Sequence, residues 1–112
     1  MRCLAFAAVI AVVAACHHAP TQLDKIRTAG ELAQSQQRWD DAVAKLEAAL
    51  GPANEIVDRP TMVVRGWAAS DGDDCALFEI IRRPDHPVVD MVGVSTDSAS
   101  DRASCVKIAR AR

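Results

Sequence analysis

The chain has 112 residues, 13 basic and 15 acidic side chains, a formal net charge of −2 and 4% aromatic residues. That length suits one domain and not two. No basic patch interleaves with aromatics, so nucleic acid is excluded as the expected partner.

The N-terminus reads as an address. Arg2 gives a short positive start, and Leu4 to Ala15 holds only Leu, Ala, Phe, Val and Ile before Cys16. This is the charged, apolar, small-residue order of a secretory signal. The apolar stretch falls short of the ~20 residues that span a bilayer as a helix. Val13-Ala14-Ala15-Cys16 resembles the lipobox of bacterial lipoproteins. The resemblance implies diacylation of Cys16, cleavage before it and acylation of the new amine; an ordinary secreted precursor is the competing reading. Two or more acyl chains anchor a protein stably, whereas one holds it only marginally. His17 stands where an aspartate often signals inner-membrane retention in enteric bacteria, so the analogy favours the outer membrane, facing the periplasm. The expected division is a signal peptide over 1–15, a lipid-anchored tether over 16–21 and a single α+β domain over 22–112.

Four cysteines then reduce to one pair. Cys3 leaves with the signal and Cys16 is blocked by lipid, so Cys75 and Cys105 remain in an oxidising compartment. Their bridge would close a thirty-residue loop, worth roughly 3.5 kcal/mol by the chain-entropy estimate. Two unpaired thiols are the alternative.

From Leu23 to Leu50 the chain is rich in good helix formers. Apolar residues recur at Ile26, Ala29, Leu32 and Ala33, then at Trp39, Val43, Leu46 and Leu50, with helical spacings of three and four. Either two helices meet at Ser35-Gln36-Gln37-Arg38, with Asp40 as N-cap of the second, or one long helix runs through. Gly51-Pro52 stops the helix. Past Pro60 the composition turns to β-branched runs separated by turn residues. Strands are predicted at about 61–69, 75–82, 87–95 and 104–109, with turns at 70–74 and 83–86 and a Ser/Asp-rich loop at 96–102. The expected fold class is α+β: one or two N-terminal helices packed on a small antiparallel sheet of three to four strands.

Strand parity places Phe78 and Ile80, Val89 and Met91, and Val106 and Ile108 on one face, which the helices should cover. Glu79, Asp90 and Lys107 then point to the other side, together with the Cys75–Cys105 bridge. Val63, Arg65, Trp67 and Leu77 share that outer side and form the candidate interaction surface. Trp67 either centres this surface or fills the core.

The run Asp41-Ala-Val-Ala-Lys-Leu-Glu-Ala-Ala-Leu-Gly-Pro-Ala-Asn54 resembles the helix-into-LGxP element of the SmpA/OmlA family, which includes the BamE subunit of the outer-membrane β-barrel assembly machinery. There a strand carrying a Trp follows, as Trp67 does here, and two more strands complete a small sheet. The likeness covers about residues 39–95 and implies a fold more than a function. It departs at Pro52, one position early, in lacking the family's Gly-Met-Thr opening, and in the added cysteine pair. Gly30, Trp39-Asp-Asp-Ala42, Leu46 and Ala49-Leu50 also resemble one tetratricopeptide repeat, but a single repeat cannot bury its own face.

No chemistry-bearing motif rises above these. Asp71-Gly72-Asp73-Asp74 lacks the ligand pattern of a calcium loop and reads as a turn. His17-His18 has no accompanying ligand set, and His86 is a lone turn residue. Ser95, Ser98, Ser100 and Ser104 lack a nucleophile elbow. Neither catalysis nor a cofactor or metal is expected. The sequence favours a lipid-anchored envelope protein acting as an interaction or assembly accessory module; a small-ligand-binding periplasmic lipoprotein is the alternative.

Overall fold

The computed structural model describes residues 19–36, 38–85, 89–94 and 98–111. Helix α1 (Gln22–Gln34) starts with a capping box. Thr21 Oγ1 accepts from the Asp24 N–H at 3.2 Å, and Asp24 Oδ2 accepts from the Thr21 N–H at 3.1 Å. Two of the N–H groups that a helix start leaves unsatisfied are thereby paired. Leu23, Ile26, Ala29 and Ala33 form its buried stripe.

Helix α1 ends at Ser35, whose hydroxyl donates to Leu32 O at 2.6 Å. Helix α2 (Trp39–Leu50) then begins after Arg38. The helical half is therefore two helices, not one. Asp40 lies in the first turn of α2 with Asp41 and is not the cap; both carboxylates favour the positive end of the helix dipole there. Gly51 follows with φ +86°, a conformation glycine adopts without strain.

Four strands follow as an antiparallel meander: β1 (Glu55–Arg59), β2 (Met62–Asp71), β3 (Asp74–Arg82) and β4 (Asp90–Val94), in the order β1-β2-β3-β4. The expected α+β class holds, with β2, β3 and β4 close to the predicted ranges. Strand β1 answers to no predicted element. The predicted strand at 104–109 is instead helix α3 (Ala99–Ala109), which also takes in part of the predicted loop. Ser98 caps it, accepting from the Asp101 N–H at 3.1 Å. Cys105 is buried, with Val106, Ile108 and Ala109 packed beside it. Offsets of one, three and four suit a helix, and a six-residue window could not separate them from a strand.

The sheet is covered on both faces. On one, Trp67, Phe78 and Ile80 pack with Ile26, Ala29, Ala33, Trp39, Ala42, Leu46 and Leu50 of α1 and α2. On the other, Ala68, Cys75 and Leu77 pack against α3, to which the Cys75–Cys105 disulfide joins the sheet. The bridge lies opposite α1 and α2 as expected, yet that side is a second small core and not a solvated face.

Trp67 corrects the parity argument. It pairs with Phe78 across the ladder, and Ala68 pairs with Leu77. The two-residue turn Gly72-Asp73 sets Asp71 opposite Asp74, so odd positions of β2 share a face with even positions of β3. Trp67 is 0% exposed beneath α1 and α2, and its Nε1 donates to Gly51 O at 2.9 Å. Trp67→Ala should therefore cost about 3–5 kcal/mol, the range for deleting a large buried aromatic. Denaturant unfolding of the oxidised protein checks this; a loss below about 1 kcal/mol would place Trp67 outside the core.

Candidate functional site

Between α2 and β1 stands Asn54, which joins three parts of the fold. Its N–H donates to Gly66 O at 2.8 Å, and its Oδ1 accepts from the Ala68 N–H at 3.2 Å. Its Nδ2 donates to Ala109 O at 3.4 Å, at the end of α3. The start of β1 is thus fastened to β2 and to the helix on the far face.

The next residue begins a row of side chains across the sheet. Glu55 of β1 is opposite Gly66 of β2, and Gly66 is opposite Glu79 of β3. Residues in register on adjacent strands point to one face, so the two carboxyls meet over the glycine. A Cβ on Gly66 would lie 2.6 Å from Glu55 Oε1 and 3.4 Å from Glu79 Cγ. A side chain there would displace the Glu55 carboxyl and crowd Glu55 Cβ, 3.1 Å away. Flanking rows hold buried Val64 and Leu77 and half-buried Val57 and Ile81, so little water solvates the pair.

Two carboxyls in such a notch disfavour the charged form of Glu79. The hydrogen bond with Glu55 pushes Glu79 up to about 7 from an ordinary 4.5, helped by burial and by repulsion from Glu55. Glu55 Oε1 is buried without a hydrogen-bond partner among the described residues. Beside the pair, Asn54, Glu55, Ile56, Ser104, Lys107 and Ile108 line a shallow groove between β1 and α3. The arrangement can hold or release one proton near neutral pH. Sequence parity placed Glu79 away from α1 and α2, but without β1 it could not supply Glu55.

The four residues of the expected interaction surface do not form one surface. Val63 packs against the α1–α2 core with Trp67, whereas Leu77 belongs to the opposite core. Arg65 is half-buried and donates from Nη1 to Asp58 Oδ1 at 2.9 Å and to Val64 O at 2.9 Å. Its register partner Ile56, on β1, is 61% exposed. Cys75 and Cys105 are disulfide-bonded. Cys16, His17, His18 and His86 lie outside the described residues. Asp74 of the acidic turn pairs with Arg27 of α1, and Ser98 caps α3. Among the described residues no three of His, Cys, Asp and Glu come together as metal ligands. No helix among them is long and apolar enough to cross a membrane. No protein-family model, curated protein or solved structure matches the chain.

The carboxyl pair sets a pH dependence of stability. Glu79 binds its proton more tightly folded than unfolded, so its contribution is full below about 4.5 and is lost as pH rises through about 7. Wild type should therefore lose stability between these values. Glu79→Gln keeps the hydrogen-bonding shape without the charge, should flatten that slope, and should exceed wild type at pH 8. Denaturant midpoints at pH 5, 6, 7 and 8 for both proteins check this; parallel profiles would dismiss the upward shift of Glu79.

Proposed function

We propose that this is a lipid-anchored envelope protein that binds another protein and performs no catalysis. The N-terminal order ending in Val13-Ala14-Ala15-Cys16 supports the anchor, and the Cys75–Cys105 disulfide fits an oxidising compartment. One observation carries the binding half of this reading: β1 is an edge strand that presents exposed Ile56. Among the described residues β1 pairs with β2 alone. An edge strand offers unpaired backbone groups to a partner strand, and outward side chains select which strand docks. Ile56 is the one large hydrophobic exposed among the described residues, and it lies beside Arg65 and Asp58, a charged rim around an apolar contact. The likeness to the SmpA/OmlA family points to barrel-assembly components as partners, and the outer membrane as the location.

Two variants separate the halves of this reading. Cys16→Ser should leave the membrane fraction and carry no acyl mass; wild-type partitioning would overturn the anchor. Ile56→Asp should stay within about 0.5 kcal/mol of wild-type stability, as exposed substitutions usually do, yet lose the proteins that co-purify with wild type. An unchanged set of co-purified proteins would remove β1 as the binding edge.

A further inference from the structure

Helix α3 has a second side, turned away from the sheet except at Val106, which packs against the smaller core. Cys105, Ile108 and Ala109 face the sheet. Ala99, Arg102, Ala103, Val106, Lys107 and Arg110 fall at offsets of three, four, seven, eight and eleven, one continuous stripe of a helix. They line a shallow depression together. Arg102, Lys107 and Arg110 are all exposed. The ion pairs among the described residues use Arg27, Arg65 and Arg83, so these three cations have no acidic partner there. The helix's one acid, Asp101, lies about 200° around the axis from Ala99. A chain of net charge −2 thus concentrates cations on one helix face.

The position of this face matters as much as its charge. Gln22, at the start of α1, donates to Leu50 O at 3.0 Å, next to Gly51. A few residues on, Asn54 reaches Ala109 O. The start of α1 and the end of α3 are therefore both tied to the segment between α2 and β1, on opposite faces of the sheet. Cys16 precedes Gln22 by six residues, a reach of at most about 20 Å. A lipid on Cys16 would lie within that reach of Gln22.

We propose that this stripe of α3 rests on the anionic phospholipid headgroups of the membrane that holds the lipid on Cys16. The inference depends on the lipid-anchor reading given above. Each Lys or Arg near an anionic surface contributes roughly fivefold, so three contribute about a hundredfold, within a Debye length. The apolar positions between them are two alanines and one half-buried valine. They allow close approach but offer nothing to insert, so the contact is electrostatic and salt-sensitive. The tether supplies the high local concentration that three charges need.

The lysines report on it directly, because the chain has three: Lys25 and Lys45 on α1 and α2, and Lys107 on the stripe. The lipidated protein is reconstituted in vesicles of phosphatidylcholine alone, or with about a third phosphatidylglycerol, and treated with an amine-acetylating reagent. Lys107 should react about fivefold or more slowly in the anionic vesicles, and roughly 0.5 M salt should restore its rate. Lys25 and Lys45 should react alike in both. The double variant Arg102→Glu/Arg110→Glu, which retains Lys107 as reporter, should lose the protection while keeping the wild-type circular dichroism. Equal Lys107 reactivity in the two vesicles, or protection that survives the double substitution, overturns the proposal. Intact mass of the same preparation reads the acyl chains on Cys16. Their absence would overturn the anchor and this inference together, and so differs from a lipidated protein whose α3 ignores the membrane.

Discussion

The hairpin of β2 and β3 is buried on both faces, and a turn of two residues decides which side chain goes to which. Gly72, with φ +61°, and Asp73 close the ladder so that Asp71 meets Asp74. Glycine at the first central position is what a two-residue hairpin with a primed turn requires. A loop one residue longer would shift the pairing and send every residue of one strand to the opposite face. Trp67 and Phe78 would then no longer meet under α1 and α2. Cys75 would turn away from Cys105, and Glu79 from Glu55. Two cores and the carboxyl pair thus depend on one register.

That dependence explains what could and could not be read from the residues alone. The helices are legible because Ile26, Ala29, Leu32 and Ala33, then Trp39, Val43, Leu46 and Leu50, recur at helical spacings over enough turns to be distinctive. Strands β2 and β3 were legible from their β-branched composition. Relative facing was not, since alternation within each strand says nothing about the register between them. For that reason parity alone leaves Trp67 open between the outer surface and the core. The segment Glu55–Arg59 offered too little pattern in five residues between two prolines. Its missing strand concealed Glu55, and with it the neighbour that does most to raise Glu79. In α3, the alternation in Cys-Val-Lys-Ile imitates a strand, whereas the helix starts at Ser98, whose hydroxyl accepts from the Asp101 N–H.

The second core is small, and a cross-link compensates for what packing alone would give. Ala68, Cys75, Leu77 and Cys105 provide little apolar area, and an eleven-residue helix is marginal by itself. The disulfide closes a loop of thirty residues across this contact, and losing such a bridge costs a small domain about 2–5 kcal/mol. The domain's helical core would survive its loss better than α3 would.

Helix α3 is consequently held at two points along its length, by Cys105 near its middle and by the Asn54 hydrogen bond to Ala109 at its end. Two attachments on one side of a helix fix its rotation as well as its place. The rotation they select puts Cys105 and Ile108 inward and leaves Arg102, Lys107 and Arg110 outward. Asn54 also begins β1, so the strand offered for protein binding and the cationic stripe are positioned by one side chain from opposite directions. Asn54 stands next to Glu55 of the carboxyl pair, in which Glu79 is pushed up to about 7. Loss of the Glu79 proton places a second negative charge where β1, β2 and the groove beside α3 meet. Repulsion there acts first on β1, which the described residues brace on one side only.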